Sequence, residues 1–272
     1  MVIIMILDKI VANKRLEVAR RKEEEPIPVL MQEIGRLATP RSLSGALTAG
    51  GGINIIAEIK RASPSAGIIA GNIDPSSVAT EYEMGGAAAI SVLTDREFFA
   101  GNIAFLPQVR RTVSLPVLRK DFLIDPYQVY EARAYGADAV LLIAAILGDR
   151  ELKSLLDLTH GLGMEALVEV HDEPELLRVL ETGARVIGIN NRNLEDFTVS
   201  LETTFNLCRK IPAGKVIVSE SGIKTRVDIV RLEEAGTQAV LIGETLMRAP
   251  DRTKAVRELL GKSDQDKGVR YH

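Results

Sequence analysis

Apolar runs and amphipathic stretches alternate along this chain at a nearly fixed spacing. The runs "INIIAEI", "GGAAAISVLT", "PVLRKDF", "YGADAVLLIAAI", "EALVEV", "TGARVIGIN", "KVIVSES" and "AGTQAVLIG" hold short apolar, mostly β-branched cores. Such cores suit strands covered on both faces. They begin near residues 53, 88, 116, 139, 165, 186, 215 and 239. Between them "DPSSVATEYEMG", "PYQVYEARAYG", "DEPELLRVLETG" and "KTRVDIVRLEEAG" repeat apolar residues at helical spacing. Asp74 and Asp172 stand where N-caps belong, and Pro75 falls in a first turn. Four strands are entered through a glycine and a small residue, which predicts helices ending on a left-handed glycine before a tight turn.

Strand, helix and two short loops need about the ~27 residues that separate successive strand cores. Eight such units predict a closed parallel (β/α)8 barrel over residues 51–262, with helices outside. An open doubly wound sheet is the alternative, disfavoured by eight even units without a dinucleotide fingerprint. Residues 1–50 precede the first strand. "LDKIVANKRLEVARRKEEE" is helical in pattern and "PRSLSGALTAGGG" reads as a loop. This stretch is expected to form a helical extension packed on the barrel and covering part of its mouth. Residues 263–272, "SDQDKGVRYH", are expected to be a mobile tail.

Composition narrows the function. The 272 residues are 46% hydrophobic and 26% charged with a formal net charge of −3, which is ordinary globular chemistry and argues against a general nucleic-acid binder. The apolar "VIIMIL" near the start is too short for a membrane span and lacks a cleavage site, so it reads as the start of an amphipathic helix. The single cysteine, Cys208, excludes an intrachain disulfide and suits a reducing cytosol; the plain reading is a small buried apolar residue. "GLGMEA" precedes a strand instead of following one, "GKS" lacks the upstream glycine of a phosphate loop, and His160, His171 and His272 do not fall at metal-ligand spacing. No metal or other cofactor is expected.

Charge falls late in the strands. The first starts apolar at Ile53 and then carries Glu58 and Lys60, two apart and so on one side. The third ends at Lys120, the fifth at Glu169, the sixth with Asn190 and Arg192, the seventh with Glu220. In an eight-fold barrel these C-terminal ends share one face, where active sites are built. Three cations would then meet three anions across one mouth. A neutral salt-bridge network closing the barrel is the plain alternative. Ser221 and Gly222 after the seventh strand, and Gly243 after the eighth, supply the backbone N–H groups of a phosphate cradle. Glu244 beside them is a discord unless its carboxylate turns outward.

In order along the chain, "IIAEIKRASPSAG", "LTDREFFAG", "PVLRKDF", "ALVEVHDEPEL", "IGINNRNL", "VSESGI" and "VLIGETLM" resemble the motifs of the indole-3-glycerol phosphate synthase family, over about residues 3–261. The resemblance implies decarboxylating ring closure of 1-(2-carboxyphenylamino)-1-deoxyribulose 5-phosphate, then loss of water. It implies Lys120 as general acid on the ketone and Glu169 as the acid–base carboxylate of the dehydration, although which acts in each step stays open. Lys60 would pair with the substrate carboxylate. Glu58 and Asn190 would hold the lysine and the hydroxyls. Ser63, Ser221, Gly222, Gly243 and Glu244 would contact phosphate. Phe99, Phe122 and Leu194 would wall the aromatic ring, with Arg192 nearby. Lys120, set among other cations and partly desolvated, is expected to have a lowered pKa. A small phosphorylated substrate is the implied partner, with neither nucleic acid nor membrane. A monomer or weak homo-oligomer is expected, able to associate with other tryptophan-pathway enzymes. The rival readings are a sugar-phosphate isomerase on the same barrel and a barrel kept only for binding.

Overall fold

The computed structural model describes residues 4–193 and 197–262. Eight parallel strands close into one barrel: β1 (Asn54–Ile59), β2 (Ala89–Leu93), β3 (Val117–Lys120), β4 (Ala139–Ile143), β5 (Glu165–Val170), β6 (Val186–Asn190), β7 (Val216–Glu220) and β8 (Ala239–Ile242). Each pairs with its neighbours in sequence, and β1 closes on β8 with Asn54 opposite Ala239. The open doubly wound alternative is thereby excluded. The four glycines that enter strands are left-handed as expected: Gly86, Gly136, Gly183 and Gly236 have φ of 97°, 85°, 82° and 94°. Asp74 and Asp172 cap their helices, accepting hydrogen bonds from the N–H groups of Ser76 and Ser77 and of Glu175.

Two apolar layers follow from the two-residue strand period. Residues such as Ile55, Val92, Val140, Val168 and Ile187 face the outer helices. Ile56, Leu118, Leu141, Leu167, Val218 and Leu241 fill the barrel interior. Two residues further along the inward column come Glu58, Lys120, Glu169 and Glu220. The strands therefore do not leave the core where they become charged; the same inward face passes from apolar floor to polar mouth.

The extension begins with α1 (Ile4–Glu24) and α2 (Ile27–Ile34). On α1, Leu7, Ile10, Lys14, Val18 and Arg21 fall three or four apart, on one face. Ile10, Lys14 and Val18 are buried, and Lys14 is completely so. One expectation is corrected here. The stretch read as a loop contains a third helix, α3 (Leu43–Leu47), capped by the Ser42 hydroxyl accepting from the Gly45 N–H. Leu43 and Leu47 stand one turn apart and are wholly buried against the inner floor of the barrel. Its polar neighbours are tied down too: the Ser44 N–H and hydroxyl donate to the Glu165 carboxylate at the start of β5, at 2.7 and 2.5 Å. Glycines and hydroxyls hid this helix because tertiary burial, not propensity, holds five residues helical. The expected tail at 263–272 lies outside the described residues.

Candidate active site

A cavity of about 710 Å³ opens at the C-terminal ends of the strands. Glu58, Lys60, Lys120, Glu169, Asn190, Arg192 and Glu220 all line it, so the three cations and three anions do converge. They are already partnered. The Lys60 ammonium lies 2.9 Å from Glu58. That of Lys120 sits between Glu169 at 3.0 Å and Glu220 at 3.3 Å. The Asn190 amide donates to the other Glu169 oxygen at 3.1 Å, and its own oxygen accepts the Arg192 N–H at 3.0 Å.

These contacts overturn the expected lowering of the Lys120 pKa. Burial alone would strip its proton, but Glu169, Glu220 and Glu58 outweigh burial and hold the ammonium charged well above the usual lysine range. The lysine is a cation among anions, not among cations. Burial opposes ionisation of Glu169 as well, yet Lys120, His171 and Asn190 keep that carboxylate far below its usual range. Glu220 is pushed the other way. Burial raises it first, Glu169 and Glu58 repel its charge, and neither oxygen receives a hydrogen bond of good geometry. One site thus holds a loaded cation, a firm carboxylate and a carboxyl able to take a proton.

Two glycines make room for these carboxylates. A side chain at Gly188 on β6 would collide with the Glu220 oxygen, and one at Gly243 would collide with the Glu58 carboxylate. Gly243 therefore clears space for an acid. Ser221 and Gly222 are consecutive left-handed residues, with φ of 67° and 82°. For a serine that conformation costs roughly 1–2 kcal/mol. Asn191 offsets it: its side-chain amide donates to the Ser221 carbonyl at 3.1 Å and to Ser219 at 2.9 Å, and its oxygen accepts from the Thr204 hydroxyl at 2.8 Å. Gly243 begins the short helix Glu244–Met247, and the Glu244 carboxylate meets the Arg248 guanidinium at 2.9 Å, with both residues on the lining of the cavity.

Ser63 lies in a small hairpin, Ala62–Ser63 against Gly67–Ile68, on the rim of the cavity. The Phe99 and Phe122 rings line the cavity too, their centroids 5.9 Å apart at 39°. Leu194 lies outside the described residues. Sequence reasoning missed several lining residues. Lys224 and Arg248 put two cations beside the glycine turns, and Ile6, Leu7 and Ile10 of α1 supply an apolar wall. It also missed His171, which stands 3.2 Å from Glu169 and 3.1 Å from Glu175. The signal was there: His171 follows Glu169 by two, at the end of the same strand.

A family model described as indole-3-glycerol phosphate synthase matches residues 7–259. The indole-3-glycerol phosphate synthase of Acetivibrio thermocellus is 50% identical over 256 residues, covering 93% of this chain and 98% of that protein. That of Desulfotalea psychrophila is 50% identical over 255 residues, with 93% and 98% covered. Among solved structures, a 3-hexulose-6-phosphate synthase superposes with a TM-score of 0.63 at 15% identity, covering 77% of this chain and 99% of that one, a likeness of fold alone.

Proposed function

The chain belongs to the indole-3-glycerol phosphate synthase family, and from that premise we propose which residues carry each half of the family's reaction. The chain converts 1-(2-carboxyphenylamino)-1-deoxyribulose 5-phosphate to indole-3-glycerol phosphate, carbon dioxide and water by general acid–base catalysis. A substrate anionic at both ends suits a mouth that offers several cations and the backbone of two glycine turns.

In the first half the ring carbon bearing the carboxylate attacks the ketone. The ketone oxygen becomes an alkoxide, a base strong enough to take a proton even from a firmly charged lysine. Lys120 is the donor in this reading, and its high pKa means that it is always loaded. Lys60 pairs with the carboxylate until carbon dioxide leaves and aromaticity returns. Glu58, 2.9 Å from Lys60, keeps that ammonium aimed into the mouth. Phe99, Phe122 and the wall of α1 press ring against ketone, so positioning supplies part of the rate. In the second half the hydroxyl leaves as water and the neighbouring carbon gives up a proton. Glu169, an ionised carboxylate held in place by Asn190, takes the proton from that carbon and passes it to the departing hydroxyl. Glu220 shares the Lys120 charge and can hold a proton between the halves. Ser63, Ser221, Gly222, Gly243 and Glu244 take the phosphate, Glu244 through its N–H.

The observation that carries this reading is the Lys120 ammonium suspended between Glu169 and Glu220 inside an aromatic-walled cavity. Addition of the carboxyphenylamino substrate should raise indole fluorescence without added metal; turnover of an unadorned aldose phosphate instead would favour the isomerase. We also propose that the enzyme works in a reducing cytosol, in keeping with its single buried Cys208. It acts there as a monomer or weak homo-oligomer, able to associate with other enzymes of tryptophan synthesis. Among the described residues no helix is long and apolar enough to cross a membrane.

A further inference from the structure

Lys14 is the most deeply buried ammonium outside the mouth, and nothing in the proposed chemistry uses it. It sits mid-way along α1 with no exposed surface. Its Nζ lies 2.9 Å from Asp95 and 2.9 Å from Asp121, both buried, and 2.8 Å from Glu17 on its own helix. Asp95 follows β2 and Asp121 follows β3. Both aspartates also hold backbone beside an aromatic wall, Asp95 through its other oxygen and Asp121 through the same oxygen that meets Lys14. Asp95 accepts the Phe98 N–H at 2.8 Å, and Asp121 accepts the Phe122 N–H at 2.8 Å. The turn after Asp95 is tight as well: the Gly101 N–H donates to the Asp95 carbonyl at 2.7 Å, and Ala100 is left-handed with φ of 52°.

The chain of charges continues and returns to its origin. Asp121 meets the Arg119 guanidinium at 3.1 Å, Arg119 meets Glu131 at 2.9 Å, and Glu131 meets Arg21 of α1 at 2.8 Å. Lys14 and Arg21, two turns apart, thus clasp one network that runs through Arg119 and the buried carboxylates Asp95, Asp121 and Glu131. The same helix presents Ile6, Leu7 and Ile10 to the cavity.

We propose that Lys14 is a positioning residue for the aromatic subsite: one ammonium ties α1 to the Phe99 and Phe122 loops and fixes the spacing between the rings and the α1 wall. This rests on the reading that Phe99 and Phe122 face the substrate ring. Among the described residues the glycine turns after β7 and β8 share no hydrogen bond or ion pair with this clasp. Loss of Lys14 should therefore split the two ends of the substrate apart.

The test uses two competitive inhibitors of the full-length enzyme, an N-alkylated anthranilate for the ring end and inorganic phosphate for the other. Lys14→Met should weaken the anthranilate by about tenfold or more, the scale on which small misplacements act, and leave phosphate inhibition unchanged. Asp95→Asn keeps an oxygen for the Phe98 N–H and loses only the ion pair. It should show the same split to a lesser degree, and it decides the matter if Lys14→Met does not fold. Equal weakening of both inhibitors, or a lowered Tm with both inhibition constants intact, would make Lys14 a structural residue and overturn the proposal. Phe122→Ala separates the two layers of inference. If it leaves anthranilate inhibition unchanged, the walls are misassigned and the proposal falls with them. If it weakens anthranilate while Lys14→Met does not, only the role of Lys14 is wrong.

Discussion

Lys120→Met removes the central cation of the mouth and bears on rate and stability together. A positioned general acid contributes about 10²–10⁴-fold, or roughly 3–5 kcal/mol of barrier. The variant also leaves Glu169 and Glu220, formerly 3.0 and 3.3 Å from the ammonium, buried without it. Breaking a buried pair on one side costs about 3–5 kcal/mol. The lower end applies here, because Glu220 can neutralise itself by binding a proton. The pH dependence has a definite sign. Glu169 is held below its unfolded value, so the stability it supplies is present above about pH 4.5 and is lost as pH falls through the folded value. The gap between wild type and variant should thus be widest from about pH 5 upward and narrow on acidification. Urea unfolding across that range measures the gap, and single-turnover indole fluorescence measures the rate. Turnover within about tenfold of wild type over the whole pH profile would refute the general-acid role. A gap that widened on acidification would refute the electrostatic account.

Glu169→Gln keeps shape and hydrogen bonding but cannot exchange a proton, so bound substrate should release carbon dioxide in a burst well before indole fluorescence rises; simultaneous slow signals would mean that Glu169 only orients Lys120. Gly222→Val would drive a side chain to 2.5 Å from Val199 at a φ of 82°. KM should rise more than kcat falls, with inhibition by inorganic phosphate lost. His171 is a cation at neutral pH: burial works against its charge, but Glu169 and Glu175 prevail and push it up to about 10. Its stabilisation is therefore full below the unfolded value of about 6.5 and fades as pH rises through the folded one, so His171→Gln should destabilise measurably at low pH and little in alkali by urea unfolding. Deleting residues 1–40 removes the cation of Asp95 and Asp121 along with the wall of the mouth. The barrel should survive by circular dichroism with a markedly lower Tm and impaired kcat/KM, and unchanged kcat/KM would show that α1 does not serve the site.

The barrel was legible because its signals are local. An apolar β-branched run needs no partner to be recognised, and Gly86, Gly136, Gly183 and Gly236 mark turns that only glycine enters at low cost. Every strand core begins within a residue of the expected place. The charged set was legible for a related reason, since parity along a strand and a fixed functional face bring Glu58, Lys120, Glu169 and Glu220 together without any knowledge of distance. What failed depended on distance. Lys120 was credited with cationic neighbours, whereas across the barrel its nearest charges are carboxylates. Lys14 drew no reading from the sequence, although it stands in phase with Ile10 and Val18. Only its partners, 81 and 107 positions away in the chain, explain why it is buried. The helix α3 was invisible because two leucines make sense only once a barrel floor lies beneath them.

That floor has a consequence for synthesis on the ribosome. Leu43 and Leu47 emerge early, but the carboxylate that secures Ser44 belongs to Glu165, 121 residues later. At about 5–20 residues per second the segment waits roughly 6–24 seconds with its apolar side uncovered. Over that interval this segment is open to chaperones and to neighbouring chains. Slowing translation upstream of codon 165 should therefore lower soluble yield more than slowing it downstream.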